Sequence, residues 1–107
     1  MSDLPQVTDN REDSRLELTA DGHRAELIYR QRGGRLVLRH TGVPAAIGGR
    51  GLGGQLVAAA LARAAADGLT VVPLCPFARD WLERHPAAAA TVTVDWGDRP
   101  PAPPAAG

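Results

Sequence analysis

Seven consecutive residues, Gly48-Gly49-Arg50-Gly51-Leu52-Gly53-Gly54, include five glycines and lie between a run with strand periodicity and a run with helix periodicity. A chain so rich in glycine turns sharply, and it brings backbone amides close to whatever lies beside them. The first amides of a helix have no intrahelical acceptor, and the helix dipole places positive charge on them. A glycine turn that opens a helix is therefore suited to a phosphate or another anion, with Arg50 as an added ionic contact. This segment also fixes where the fold changes character.

Before the turn, Arg15-Leu16-Glu17-Leu18-Thr19 alternates polar and apolar residues, as a half-buried strand does. Ala20-Asp21-Gly22 supplies a turn. Ala25 to Arg30 places Leu27 and Tyr29 on one face and Ile28 on the other. Gly33-Gly34 is a second hairpin signal, and Leu36 to Thr41 a third strand. After the turn, Leu52, Leu56, Ala60 and Ala64, with Val57 and Leu61 beside them, follow helical spacing as far as Asp67. Gly68 suits the helix end. Leu69 to Val72 is a short apolar strand closed by Pro73. Pro76 suits the first turn of a second helix, whose inner face would carry Phe77, Trp81 and Leu82, and which His85-Pro86 stops. Ala90 to Val94 forms a last strand. The fold expected is α+β: a mixed sheet with an antiparallel N-terminal meander and two main helices, in the order β-β-β-α-β-α-β. A right-handed crossover through the first helix sets the Val71 strand parallel to the third strand. Residues 1–13 are expected to be loose and 14–96 to form a single domain. The Pro/Ala-rich stretch 97–107 is expected to be disordered.

A chain of 107 residues supports one modest core. Twelve basic residues balance twelve acidic ones, so the charge carries no footprint of nucleic acid or an anionic membrane. The least polar stretch, Leu56 to Ala66, is short and broken by Arg63, and the polar N-terminus does not resemble a secretory signal. A single cysteine excludes an internal disulfide, and no Cys/His spacing suggests a metal. These features fit the cytoplasm.

Gly49-x-Gly51-x-x-Gly54 matches the dinucleotide fingerprint formally. Three antiparallel strands precede it, however, in a chain too short for the larger parallel sheet that the fingerprint needs. No Lys-Ser/Thr completes a Walker A loop. A phosphate site is favoured, and a loop without a ligand is the alternative. Two strand ends, His40-Thr41-Gly42-Val43 and Leu74-Cys75-Pro76-Phe77, would reach the same sheet edge if their strands are parallel neighbours, and ligands bind at such edges. Cys75 would then be a nucleophile or a thiol near a reacting group, or else a small buried hydrophobe. His40 suits a general base, or a strand-end histidine bonded locally. His85 reads as a helix cap and His23 as exposed. Asp80 and Glu83 read as a wet helix face linked to Arg79 or Arg84.

Taken in order, His40-Thr41-Gly42-Val43-Pro44, Gly49-Arg50-Gly51-Leu52-Gly53, Leu56-Val57, Val71 to Phe77 and Arg84-His85-Pro86 closely resemble the small acetyltransferase-like proteins of the GCN5-related N-acetyltransferase superfamily. The likeness runs from Arg15 to Val94. It implies that acetyl-coenzyme A, as co-substrate and without a metal, lies in a cleft where two parallel strands splay apart. The strand ending at Thr41, Gly42 and Val43 would pair with the pantetheine arm. Gly49, Arg50, Gly51, Leu52, Gly53 and Gly54 would hold the pyrophosphate. Cys75, Pro76 and Phe77 would border the thioester, near His40. Gly51 and Gly53 match the superfamily's Gln/Arg-x-x-Gly-x-Gly/Ala pattern, whereas Gly48 stands where Gln or Arg would be. Members of the small branch often carry acidic residues at the positions of Gly48 and Gly42, and larger relatives a tyrosine on the second helix. This chain has none of these.

The activity so implied is acetyl transfer to an unidentified primary amine, on a small molecule or a peptide. His40 or an ordered water would act as base, or Cys75 would accept the acetyl group first. A non-catalytic acyl-coenzyme A-binding or sensing protein is the alternative, and a partner-binding domain with a vestigial loop is a third reading. A monomer or a homodimer is expected.

Overall fold

Two-residue turns shape the first half of the computed structural model, which describes residues 6–97. Asp21 and Gly22 both have positive φ, 51° and 78°, as a tight hairpin turn requires. They join strands β2 (Arg15–Ala20) and β3 (His23–Arg32). Gly33 and Gly34 join β3 to β4 (Arg35–Gly42). A three-residue strand, β1 (Thr8–Asn10), pairs antiparallel with β2. It lies within the stretch 1–13 expected to be loose; Met1–Pro5 of that stretch are outside the described residues.

Helix α1 (Leu52–Asp67) follows a 3-10 turn at Ala45–Ile47, and it ends where Gly68 takes a left-handed conformation. Strand β5 (Thr70–Pro73) then pairs parallel with β4, giving a five-stranded mixed sheet in the order β1-β2-β3-β4-β5. Helix α2 (Pro76–Arg84) begins on Pro76 and ends at His85, whose Nδ1 lies 2.7 Å from the Trp81 carbonyl. A single-turn helix, α3 (Pro86–Ala89), comes next.

Alternation in the strands puts Leu16, Leu18, Ala25, Leu27, Tyr29, Leu36, Leu38 and Val71 on one buried face of the sheet. The α1 stripe of Leu52, Leu56, Val57, Ala60, Leu61 and Ala64 packs into the same core, together with Ala78 and Leu82 of α2. The opposite face is open, with Arg15, Glu17, Glu26, Ile28, Val37 and Val72 half-buried on it.

Two expectations need correction. The last strand, Ala90 to Val94, shrinks to one parallel bridge between Val94 and Val71. Its first residues close the turn after α3, where the Thr91 and Val92 amides donate to Ala88 and Ala89. Phe77 does not join the inner face of α2, which belongs to Ala78 and Leu82; it stays 44% exposed. The Pro-rich stretch from Asp98 onward lies outside the described residues.

Candidate functional site

The parallel pairing of β4 and β5 runs only from Arg35↔Thr70 to Leu38↔Pro73. Beyond it the two strands part. On its other side, β4 stays paired with β3, but the register slips: Tyr29 faces Leu38 and Ile28 faces His40, so Arg39 is an extra residue in β4. Such a bulge bends the strand that carries it. On the β5 side, Pro73 has no N–H to extend the ladder. The chain then drops into α2, and the amides of Leu74 and Cys75 both donate to the Leu38 carbonyl, at 3.0 and 2.9 Å. The edge of Arg39–Gly42 that faces away from β3 therefore has no strand partner among the described residues.

Two helix starts sit at this opening. Helix α1 begins at Gly51, with φ of 75°, after Gly49, with φ of 76°. Side chains other than glycine rarely adopt these conformations. Neither α1 nor α2 has a side-chain cap or an acidic residue in its first turn. The two starts touch: a Cβ built on Gly53 would lie 2.6 Å from the Phe77 ring, and one on Gly54 would lie 2.6 Å from Trp81 Nε1. Gly53 and Gly54 are thus needed first so that the aromatic residues of α2 can approach α1. Trp81 is itself stacked on His85, with ring centroids 4.0 Å apart.

The candidate residues fall into two groups. Thr41 Oγ1 lies 3.4 Å from Cys75 Sγ, inside the opening, and Cys75 is only 3% exposed. Val43 packs at the edge of the core, and the Leu52 side chain is buried within it, which leaves only the Leu52 amide for a ligand. Pro76 is exposed at the first turn of α2. His40 stands apart from these residues. It is adjacent to Thr41 in the strand and pairs with Ile28, so it projects from the open face of the sheet, away from Thr41 and Cys75. The expectation that His40 and Cys75 lie together thus separates into two sides of one strand. The His40 side chain is exposed and makes no hydrogen bond or ion pair with any described residue. Its Nε2 lies 3.6 Å from where a Gly42 Cβ would be.

Arg50 is exposed and pairs with Asp21 of the β2–β3 turn at 2.6 Å. An exposed pair of this kind is weak, so Arg50 remains available to a stronger anion. On the open face, a depression of ≈ 430 Å³ is lined by Arg24, Glu26, Gly42, Val43 and Pro44. Sequence reasoning passed over Glu26. The regular register from the Gly33-Gly34 turn would set Ala25 opposite Gly42, whereas the extra residue Arg39 sets Glu26 there. A β-bulge leaves little trace in a single sequence, so no signal pointed to this pairing.

Tyr29, the only tyrosine of the chain, is committed elsewhere. Its hydroxyl donates to Asp9 Oδ1 at 2.5 Å, and the Arg63 guanidinium lies 4.7 Å from the ring centroid. Burial, and then the bond to Asp9, raise its pKa above the ordinary value. No helix among the described residues is long and apolar enough to cross a membrane.

Residues 15–92 match the family model described as GCN5-related N-acetyl-transferase. No curated protein matches the chain. Among solved structures, a GCN5-like N-acetyltransferase candidate from Staphylococcus aureus, determined in solution by NMR, is similar at 24% identity and a TM-score of 0.66, covering 92% of this chain and 97% of its own. At that identity the likeness is one of fold.

Proposed function

This chain belongs to the GCN5-related N-acetyltransferase family, and from that membership we propose that it transfers an acetyl group from acetyl-coenzyme A to a primary amine. One observation carries the reading: the unpartnered edge of β4 beyond Leu38 opens beside two touching, uncapped helix starts. Backbone donors on that edge suit an amide-bearing arm, and the amides from Gly49 to Gly54, with Arg50, suit a pyrophosphate. The fit is made by backbone, which explains why it tolerates glycine where relatives carry side chains.

The coenzyme supplies an activated acetyl thioester. The chain's own residues bind it, align it and handle protons. Backbone amides along the bulged part of β4 polarise the acetyl carbonyl. The acceptor nitrogen must be neutral to attack, and the exposed, unbonded His40 imidazole takes its proton. Cys75 is nearly inaccessible and engaged with Thr41. Direct transfer to the amine is therefore favoured over a relay through the thiol.

The test has two parts. Titration calorimetry with acetyl-coenzyme A should show binding in the micromolar range, weakened by competing phosphate. Free-thiol release should then depend on added amine. Turnover should fall about a hundredfold in His40→Ala with binding unchanged, and it should survive in Cys75→Ala. Absence of binding at millimolar coenzyme would overturn the proposal. Binding without amine-dependent thiol release would select a non-catalytic acyl-coenzyme A-binding or sensing role instead.

A further inference from the structure

The open face of the sheet carries a charge arrangement that the coenzyme site does not use. Glu17 is neutralised twice, by Arg15 in a close pair and by Arg24 at 3.5 Å. Arg15 also reaches Asp13 at 3.3 Å. Glu26, on the same face, has one partner among the described residues, Arg15 at 3.8 Å. That is the edge of ion-pair range, and Arg15 is already held closer by two other carboxylates. Glu26 is therefore the carboxylate of this face left with the most uncompensated charge, and its side chain is 28% exposed. Arg24, which shares the depression, is drawn toward Glu17.

Gly42 lies directly across the strand pair from Glu26. Glu26 lines the depression beside Gly42, and the His40 ring, outside that lining, reaches toward the same glycine, with Nε2 3.6 Å from where a Cβ would be. The bulge at Arg39 creates this juxtaposition, because the regular register would bring Ala25 here. A carboxylate across from Gly42 and a free imidazole next to it match the two needs of an incoming amine: a counter-charge for its ammonium form, and an acceptor for the proton it must lose.

Resting on the acetyltransferase reading above, we propose that the depression over Gly42 is the acceptor subsite and that Glu26 anchors the primary ammonium group of the acceptor beside His40. The ammonium donates hydrogen bonds to the Glu26 carboxylate. One proton then passes from nitrogen to His40 Nε2; the freed lone pair forms the C–N bond at the thioester carbonyl, the C–S bond breaks, and the second proton that the nitrogen loses goes to the departing thiolate. The face thereby selects acceptors that carry a compact, unhindered primary ammonium over neutral or anionic ones.

The experiment is an amide-shift titration of the ¹⁵N-labelled full chain with propylamine and, separately, with its uncharged counterpart propanol, each with and without acetyl-coenzyme A. Propylamine should shift the amides of residues 24, 26 and 40–43, and propanol should not. Glu26→Gln should weaken the propylamine effect about tenfold, as loss of a charge-assisted bond does, and should raise the apparent KM for amine with little change in kcat. Its affinity for acetyl-coenzyme A should stay unchanged. Gly42→Ala, whose added methyl meets only the His40 ring at ordinary contact distance, should fold normally and also weaken the amine effect. Shifts centred on other residues, or equal responses to propylamine in wild type and Glu26→Gln, would overturn the inference while leaving the coenzyme site standing. A chain that fails to bind acetyl-coenzyme A would sink the acetyltransferase reading, and the coenzyme-free titration would still decide whether Glu26 holds the ammonium.

Discussion

The two ends of the sheet treat their polar groups in opposite ways. At the end where β1 lies, side chains tie one another down. Tyr29 bonds Asp9, while Arg63 lies over the Tyr29 ring and pairs with Asp9 at 3.3 Å and Asp67 at 3.5 Å. Arg63 also bonds Gln31, and its side chain is only 8% exposed. At the other end, where β4 leaves β5, backbone donors and the His40 ring are left without such ties, and glycines replace side chains. The first region holds the fold together, whereas the second leaves its polar groups available to ligands. Pairing of polar groups raises stability and unpaired groups leave capacity for binding, so this small domain places each at a different end; even at the tied end Arg63 Nη1 meets Asp9 as an ion pair without a hydrogen bond.

Substitutions can break this contrast, and the largest effect belongs to the tied end. Arg63→Ala leaves Asp9 and Asp67 with Arg11, 3.5 Å from each, as their remaining cation, and removes the guanidinium from the Tyr29 ring. It should lower unfolding free energy by about 1–3 kcal/mol in urea titrations, through lost packing of the buried stem and one lost cation. A loss below about 1 kcal/mol would mean that the network is ornamental. Coenzyme affinity of the folded fraction should not change.

Next come the two glycines at the start of α1. Alanine normally gains about 1 kcal/mol over glycine inside a helix. At Gly54 the new methyl meets Trp81, which its stack on His85 pins in place. Gly54→Ala should therefore cost about 1–2 kcal/mol by overpacking, and Trp81→Ala should relieve that cost in a double-mutant cycle. At Gly53 the obstacle is the exposed Phe77 ring, which can swing aside, so Gly53→Ala should be within about 0.5 kcal/mol of wild type. Equal costs at the two positions would show that the rings do not set the requirement.

Tyr29→Phe keeps the ring under Arg63 and deletes only the bond to Asp9, for an expected loss of about 1 kcal/mol. Its pH dependence is specific. The folded-state pKa is raised above the unfolded value of 10.0, so the contribution is whole below that value and disappears as pH rises through the folded one. Wild type should lose stability on that alkaline limb, and Tyr29→Phe should lose less. With a single tyrosine in the chain, phenolate absorbance reads this titration directly.

The smallest effect on stability belongs to the open end. Arg50→Ala removes an exposed pair with Asp21 and should change stability by less than about 0.5 kcal/mol, yet weaken coenzyme binding severalfold. A stability loss as large as that of Arg63→Ala would erase the distinction between the two ends.

Much of this was legible in the sequence because it rests on local rules. Leu16 and Leu18 alternate, Asp21-Gly22 and Gly33-Gly34 punctuate, and the Leu52–Ala64 stripe has helical spacing. Together they define the meander, the turn and α1. The start of α1 was legible from the glycines at 49 to 54, because it is set by backbone conformation. What escaped depends on contacts between distant segments. β1 is too short to show periodicity, and it is held by Asp9 on Tyr29. Phe77 and Trp81 look like core residues at helical spacing until α1 is known to lie against them. The slip at Arg39 cannot be counted from a turn, and that slip sets Glu26 across from Gly42 and His40 on the face away from Cys75.

The contact between Gly54 and Trp81 has a consequence beyond this molecule. The two positions share one volume, so they should not drift independently across a lineage. A homologue with alanine or serine at the position of Gly54 should carry a smaller or differently turned side chain at that of Trp81. Relatives that keep tryptophan there should keep glycine at 54 even where coenzyme binding has been lost. In such relatives, a glycine-rich helix start would be a record of packing, not of a ligand.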